Sequence, residues 1–123
     1  AAIDGRLDQV QADWDPRPSL GVVMAADNYP GAPRTGDAIA GLGTDPGPDA
    51  KVFHAGTELR NGLVVTTGGR VLCACALGDT VAIAQQRAKA PQRVLALGRG
   101  FGQVLIDAGG GGLHGLTSAG LRP

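Results

Sequence analysis

Aromatic side chains are scarce in this chain of 123 residues, where phenylalanine, tryptophan and tyrosine together make up 3%. A core without them must be filled by valine, leucine, isoleucine and alanine, which bury less area per side chain. Glycine is abundant by contrast, with 21 residues, many of them near the C-terminus. The composition therefore predicts a small hydrophobic core, in a segment that packs against a larger protein or domain.

Net charge is also absent, because 11 basic residues balance 11 acidic ones. A neutral chain has no field that draws it to nucleic acid or to an anionic membrane, so neither is an expected partner. No apolar run reaches the roughly 20 residues of a membrane-spanning helix. Asp4, Arg6 and Asp8 interrupt the N-terminal apolar residues, which argues against a signal peptide. The length suits one core and not two ordinary domains.

Cysteine is limited to Cys73 and Cys75, two positions apart in an apolar run. On a strand this spacing points both side chains to one face, where such close positions rarely form a disulfide. We favour reduced, buried thiols in a cytoplasmic protein over a metal or redox role. Together with Val71 the cysteines form a period-two stripe that we assign to the core.

Short apolar runs separated by turn formers predict a fold that is mainly β. The predicted strands cover 20–26, 51–55, 63–67 and 70–77. The second and third are expected to pair as a hairpin, because Asn61-Gly62 accepts the positive φ angles of a tight turn.

One helix is predicted over 81–89, directly after the last of these strands. Asp79 or Thr80 can cap its first turn, and Val81, Ala84 and Ala88 mark its apolar face. The predicted class is therefore α+β, mainly β with one or two helices.

Three segments follow from this pattern. Residues 1–17 are predicted to be a short helical lead-in and linker, with Trp14 at a domain joint, and 18–90 to be the β-rich domain. Residues 91–123 form a glycine-rich tail with strands possible at 94–97 and 104–106. Beyond about Gly98 the apolar residues of the tail do not recur at the spacing of a helix or strand, so poor order is expected there. The GGGG run is not read as a phosphate-binding loop, because no clear strand precedes it and no capped helix follows it.

Several motifs occur together and in one order: LGVVMAADNYPGAPRTGD, then VFHAGT, TGGRVL and LGDT before the predicted helix. From about Asp4 to Ala88 the chain resembles the C-terminal domain of the phosphoribosylamine–glycine ligase family, also called glycinamide ribonucleotide synthetase. Asn28 stands where the family usually has glycine, and both residues accept a left-handed backbone. The resemblance implies a barrel-sandwich hybrid packed on an ATP-grasp core.

The same resemblance implies a cytoplasmic enzyme of purine biosynthesis that uses ATP and Mg²⁺ to join glycine to 5-phosphoribosylamine through a glycyl phosphate. Its ATP-binding lysines and metal-binding carboxylate and amide lie upstream of the segment found here. The acidic residues of this chain are scattered through turns, and there is no phosphate-binding loop. We therefore expect no ATP or Mg²⁺ to bind this chain alone, and its main partner to be an upstream ATP-grasp core.

Candidate residues for the edge of a substrate site lie in the loop after the first strand and around the two glycine turns. They are Asn28, Tyr29, Pro30, Gly31, Arg34, Gly36, Asp37, His54, Thr57, Gly69 and Arg70. The loop either faces substrate or contacts the missing core. His54 is interpreted as a structural or substrate-edge residue and not as a catalytic base, since no nucleophile is placed beside it. Arg70 either binds a phosphate or carboxylate or is a solvated arginine.

The tail departs from the family, which ends in an Arg-x-Asp-Ile-Gly motif. Among the nucleotide strings that can encode HGLTSAG, from His114 to Gly120, one with codons chosen for the match gives Arg-Pro-Asp-Ile-Gly-Trp when read in another frame. We therefore hypothesise that the tail after about Ala88 is a frameshifted reading or a gene fragment.

Three functional hypotheses remain open. The chain is a ligase domain that completes the substrate site, a stand-alone binding or interaction module on the same scaffold, or a non-functional truncated product. The first has no catalytic or metal-binding residue of its own. The third predicts instability, because an apolar surface meant for the core would be exposed.

Overall fold

A computed structural model describes residues 1–91, 95–97 and 102–109, with side chains described for residues 1–91 and 95. Strands dominate it and are accompanied by one α-helix, which confirms the predicted α+β class. The elements in chain order are β1 Ser19–Ala25, β2 Ile39–Ala40, β3 Ala50–His54, β4 Thr57–Arg60, β5 Leu63–Thr66, β6 Arg70–Leu77, α1 Val81–Lys89, β7 Ala96–Leu97 and β8 Gly102–Gly109. Within the described part, no helix has the length and hydropathy to cross a membrane.

The main sheet has four antiparallel strands in the order β3-β6-β1-β8. Two small ribbons, β2 with β7 and β4 with β5, complete the strand pairing. The N-terminal strand β1 is therefore central, and its neighbours β6 and β8 come from much later in the chain. This order brings the turns before β4 and before β6 to the same end of the sheet.

The core lies on one face of the sheet, where alternate residues of β1 and β6 are buried. The helix covers that face through Ala84 and Ala88, which are fully buried and pack with Leu20, Val22 and Ala76. Alanine is small enough to let the helix lie close to the sheet. A second cluster at the other end of the face contains Met24, Ala26, Ile39, Val71, Leu72 and Leu95.

The start of α1 agrees with the sequence prediction. Thr80 is the N-cap, and its Oγ1 accepts a hydrogen bond of 3.2 Å from the backbone N–H of Ile83. Such a cap satisfies one of the free N–H groups of the first turn. The apolar face is narrower than predicted, because Val81 is 47% exposed while Ala84 and Ala88 are buried.

The predicted hairpin is only partly correct. Asn61 and Gly62 have the positive φ angles expected of a tight turn, at 49° and 79°. However, the turn joins β4 to β5, and β4 was not predicted. Strand β3 pairs with β6 instead, because the chain reverses at Ala55-Gly56 before β4 begins.

The predicted core stripe of Val71, Cys73 and Cys75 is wrong for both cysteines. Val71 is fully buried, whereas both cysteines are half-buried and reduced. The buried stripe of β6 is the opposite one, formed by Leu72, Ala74 and Ala76. The reason is that α1 covers only that face, so the cysteine face of the sheet lacks an equivalent cover among the described side chains.

The two ends of the chain agree with their predictions in part. The predicted helical lead-in contains a three-residue 3-10 helix, Leu7–Gln9, and Trp14 is 85% exposed within this chain. The placement of Trp14 at a domain joint stays a prediction. The strands predicted at 94–97 and 104–106 correspond to β7 and β8, and β8 pairs along β1 in a part of the tail for which poor order is also predicted. The frameshift hypothesis concerns the tail after about Ala88 and is argued from His114 to Gly120, which lie outside the described residues, so it stays a prediction.

Candidate functional site

The two glycine turns of the VFHAGT and TGGRVL motifs are joined by backbone hydrogen bonds. The N–H of Ala55 donates to the carbonyl of Val71 at 2.9 Å, and that of Gly56 donates to the carbonyl of Arg70 at 2.9 Å. A Cβ atom at Gly56 would lie 2.8 Å from the Arg70 carbonyl oxygen and 3.0 Å from the backbone nitrogen of Gly68. Gly56 is therefore required by close backbone approach, a role that sequence reasoning missed.

The loop from Asp27 to Asp37 is anchored on Thr66, at the end of β5. The N–H of Gly36 donates to the Thr66 carbonyl at 2.7 Å, and the N–H of Asp37 donates to Thr66 Oγ1 at 3.1 Å. Thr66 in turn donates its N–H to the Asp37 carbonyl at 2.9 Å and is 1% exposed. Sequence reasoning did not select Thr66, since nothing local marks a strand threonine as the anchor of a distant loop.

Arg34 closes this loop by pairing with both of its aspartates. Its Nε lies 2.7 Å from Asp37 Oδ2, and its Nη1 lies 3.4 Å from Asp27 Oδ2. The hydrogen bond to Asp37, followed by the charge of that carboxylate, raises the pKa of the Arg34 guanidinium. Arg34 and Asp37 are thus paired within the loop, which favours a structural role for both over direct substrate contact.

The tip of the loop is a tight turn. Asn28 has φ 66°, in the left-handed region that asparagine accepts more readily than most residues, and the Tyr29-Pro30 peptide bond is cis. A Cβ atom on Gly31 would lie 3.0 Å from the Asn28 carbonyl oxygen. Asn28, Pro30 and Gly31 therefore shape the turn that directs Tyr29.

Tyr29 reaches across to the TGGRVL turn. A Cβ atom at Gly69 would lie 2.4 Å from Cδ2 of the tyrosine ring, so only glycine lets the ring lie there. The Gly69 carbonyl also accepts a hydrogen bond of 2.8 Å from the N–H of Ala26, which ties the two turns together. Beside them is an open cavity of about 550 Å³ lined by Val23, Tyr29, Ala55, Gly69, Arg70, Leu72 and Cys73.

Arg70 differs from the other arginines near it. Five of the six arginines within residues 1–91 pair with an aspartate or glutamate, at distances from 2.7 to 3.1 Å. Arg70 is exposed at the cavity and has no hydrogen bond or ion pair from its guanidinium among the described residues. An unpaired guanidinium presents a planar set of donors that matches a carboxylate or phosphate.

His54 and Thr57 form a separate pair. His54 Nδ1 lies 3.0 Å from Thr57 Oγ1 across the Ala55-Gly56 turn, and the pair is exposed. Neither residue lines the cavity that is lined by Tyr29, Gly69 and Arg70. The sequence candidates are therefore divided into a cavity group, an anchored loop and this exposed pair.

A second polar network, not anticipated from sequence, holds the other end of the sheet. Asp49 accepts hydrogen bonds from Arg17 at 3.0 Å and from Arg87 at 2.9 Å. Arg17 also binds Asp15, and Arg87 donates to the carbonyl of Leu77 at 2.9 Å. The network joins the lead-in, the loop before β3 and α1.

The Asp15 pair predicts a dependence of stability on pH. Hydrogen bonds from the Arg17 side chain and then its backbone lower the pKa of Asp15 from 3.8 to about 2. The pKa of Asp15 is lower in the folded chain than in the unfolded chain. The ionised carboxylate therefore contributes to the free energy of unfolding above about pH 4, and this contribution is lost as the pH falls to about 2. We expect Asp15→Asn to flatten this part of the stability profile, measured by urea unfolding between pH 2 and 5. Asp13→Asn is the control, and an equal flattening by both variants would contradict the assignment.

Metal binding has no support in the described residues, where no group of three or more histidine, cysteine, aspartate or glutamate side chains is arranged to hold an ion. The described residues therefore do not fit Mg²⁺, and no chemical step is assigned to a metal on this chain.

Comparison with known proteins gives consistent matches. The family model described as "Phosphoribosylglycinamide synthetase, C domain" matches residues 19–98. The phosphoribosylamine–glycine ligase of Vibrio cholerae is 61% identical over 88 residues, which are 72% of this chain and 20% of that protein. The ligase of Xanthomonas campestris is 62% identical over 91 residues, covering 73% of this chain and 21% of that protein.

A solved structure agrees with these sequence matches. The crystal structure of phosphoribosylamine–glycine ligase from Thermotoga maritima aligns with a TM-score of 0.56 and 33% identity, covering 71% of this chain and 20% of that one. The chain thus spans about a fifth of the length of the relatives it matches. On the matched residues 19–98, the chain belongs to the phosphoribosylglycinamide synthetase C-domain family.

Proposed function

We propose that this chain is the C-terminal part of a phosphoribosylamine–glycine ligase acting in purine biosynthesis in the cytoplasm. In this proposal the domain completes the substrate site, and an ATP-grasp core outside this chain binds ATP and Mg²⁺. The core joins glycine to 5-phosphoribosylamine, and this domain contributes binding and positioning only. Membership of the C-domain family supports the proposal.

The observation that carries the proposal is the unpaired guanidinium of Arg70 at a cavity shaped by Tyr29 and Gly69. Glycine and phosphoribosylamine carry a carboxylate and a phosphate, and a guanidinium binds either group through two parallel hydrogen bonds. The Gly56 and Gly69 contacts fix the backbone from which Arg70 projects. A fixed backbone reduces the ordering cost of binding, which favours a positioning role.

The 123-residue chain should show no ligation when glycine, phosphoribosylamine, ATP and Mg²⁺ are supplied together. The physical reason is the lack of a metal-binding group among the described residues and of a phosphate-binding loop in the sequence. The measurement is release of ADP and formation of glycinamide ribonucleotide, with the complete Vibrio cholerae enzyme as positive control. Product formed by this chain alone would overturn the proposal that the ATP-grasp core carries out catalysis and this domain only binds and positions substrate.

A binding assay separates this proposal from the stand-alone module. Titration of the chain with glycinamide ribonucleotide, followed by calorimetry, is expected to give no measurable affinity, since only one wall of the site is present. Tight binding without the core would favour an independent binding module.

A further inference from the structure

The two cysteines form a close pair of thiols on the uncovered face of the main sheet. Cys73 Sγ and Cys75 Sγ are 3.5 Å apart, because side chains two positions apart on β6 point the same way. No described helix covers this face, and both cysteines are half-buried. Cys73 also lines the cavity beside Arg70, but the proposed ligase function assigns no role to either thiol.

The distance between the two sulfur atoms limits the coordination geometry of any atom bound to both. With bonds of about 2.3 Å, the usual length of a zinc–thiolate bond, sulfurs 3.5 Å apart enclose an angle of about 100° at that atom. A linear two-coordinate ion would need the sulfurs about 4.6 Å apart at the same bond length. A tetrahedral structural ion needs four protein ligands, and the described residues supply no group of three. A pyramidal centre with two sulfur ligands and one substituent of its own fits both conditions.

We propose that Cys73 and Cys75 form a dithiol site that chelates an organic trivalent arsenical. In the step RAs=O + 2 RSH → RAs(SR)₂ + H₂O, two As–S bonds form while the As=O bond and two S–H bonds break. Both thiol protons leave with the oxygen as water, and arsenic stays trivalent, so no oxidant or reductant is required. The product is one ring that contains arsenic, both sulfurs and the backbone between them.

The surroundings of the thiols suit an aryl substituent. Phe53 lies opposite Cys73 in the register of β3 and β6, and the residue is 48% exposed. Phe53, Leu77 and Cys75 line one open cavity of about 390 Å³. Lys51 Nζ lies over the Phe53 ring, 5.7 Å from its centroid, and Lys51 lines the same cavity.

The surroundings of Cys75 hold its thiol in the protonated form. Burial, followed by the hydrogen bond with Cys73, raises the pKa of the Cys75 thiol to about 11. A protonated thiol reacts slowly with alkylating agents, which need the thiolate. Arsenical condensation consumes two thiols and releases only water, so it needs no net deprotonation.

Phenylarsine oxide tests the site directly on the 123-residue chain. Intact-mass spectrometry should show one adduct per chain, with a mass increase of phenylarsine oxide less one water. The adduct should survive excess 2-mercaptoethanol and be removed by 2,3-dimercaptopropanol. Cys73→Ser and Cys75→Ser should each bind about 100-fold more weakly, because the second As–S bond is intramolecular only in the pair.

A matched control keeps two thiols while separating them. Asp8 is exposed in the lead-in, so the double variant Asp8→Cys, Cys75→Ser has the same thiol count without the close pair. We expect it to bind as weakly as Cys75→Ser, with folding of each variant checked by far-UV circular dichroism. Binding of the double variant, or of either single variant, within threefold of the wild type would overturn the proposal.

A stability readout distinguishes a site of the folded strand from two thiols of an unfolded chain. Phenylarsine oxide should raise the thermal midpoint of the wild-type chain, since a ligand that prefers the folded state stabilises it. No rise is expected for the double variant. A lowered midpoint of the wild-type chain would place the chelating geometry in the unfolded state and contradict the proposal. None of these readouts depends on ligase activity.

Discussion

Gly78→Ala is expected to reduce the free energy of unfolding by about 3 kcal/mol, at the upper end of the usual cost of overpacking. Gly78 is buried between β6 and α1, and a Cβ atom there would lie 2.4 Å from the backbone nitrogen of Ala84 and 2.9 Å from the carbonyl carbon of Ile83. These are backbone atoms, so no side-chain rotation relieves the contact. The helix must move off the sheet, which disturbs the packing of Ala84.

Gly43→Ala is the matched control for this variant. Gly43 is exposed in a loop, its φ is not positive, and a Cβ atom there has no neighbour within 4 Å. Replacing such a glycine restricts mainly the unfolded chain, so we expect a gain of up to about 1 kcal/mol. Urea unfolding followed by far-UV circular dichroism measures both. A Gly78→Ala chain as stable as the Gly43→Ala chain would contradict the described contact of α1 with the sheet.

Arg70→Ala is expected to lower kcat/KM by about 10- to 100-fold in a ligase that carries this domain. The range corresponds to the loss of a hydrogen bond between a charged donor and a substrate oxyanion, about 1.5–3 kcal/mol. The test protein is a chimera in which residues 19–98 replace the matching domain of the Vibrio cholerae relative. The loss should be mainly in KM, because the proposed role of Arg70 is binding.

Two further variants make this test specific. Arg70→Lys keeps the charge but not the planar fork, so we expect it to recover only part of the loss. Arg60→Ala removes another exposed arginine, which pairs with Glu58 at 2.8 Å, and should leave kcat/KM within about twofold, since exposed pairs contribute little. If Arg60→Ala were as harmful as Arg70→Ala, the effect would be one of surface charge and not of a substrate contact.

Local features were predictable because they depend on neighbouring residues. The Thr80 cap, the Asn61-Gly62 turn and β6 each follow from a few adjacent side chains, and each is present. The partner of β3 was not predictable in the same way. Its pairing with β6 depends on Gly56 reaching the backbone of Gly68 and Arg70, which periodicity does not encode.

In the candidate site, too, local motifs were predictable from sequence and contacts between distant residues were not. The NYPG and TGGR motifs marked Tyr29, Gly69 and Arg70 as separate candidates, and the fold brings these three to one cavity. Sequence order alone did not reveal that Arg34 and Asp37 pair with each other within the loop. The ion pairs of Asp49 with Arg17 and Arg87 span 32 and 38 positions and likewise required the fold.

The most direct test of the central claim is ligase activity of the same chimera, without further substitution. We expect ATP-dependent glycinamide ribonucleotide formation within about tenfold of the parent enzyme, because in the proposed function the grafted domain supplies the same wall of the site. The parent truncated before this domain is the negative control, and the parent with its own domain restored is the positive one. Folding of the chimera is judged by circular dichroism and gel filtration. A folded chimera as inactive as the truncated parent would contradict the proposal that this domain completes the substrate site of the ligase.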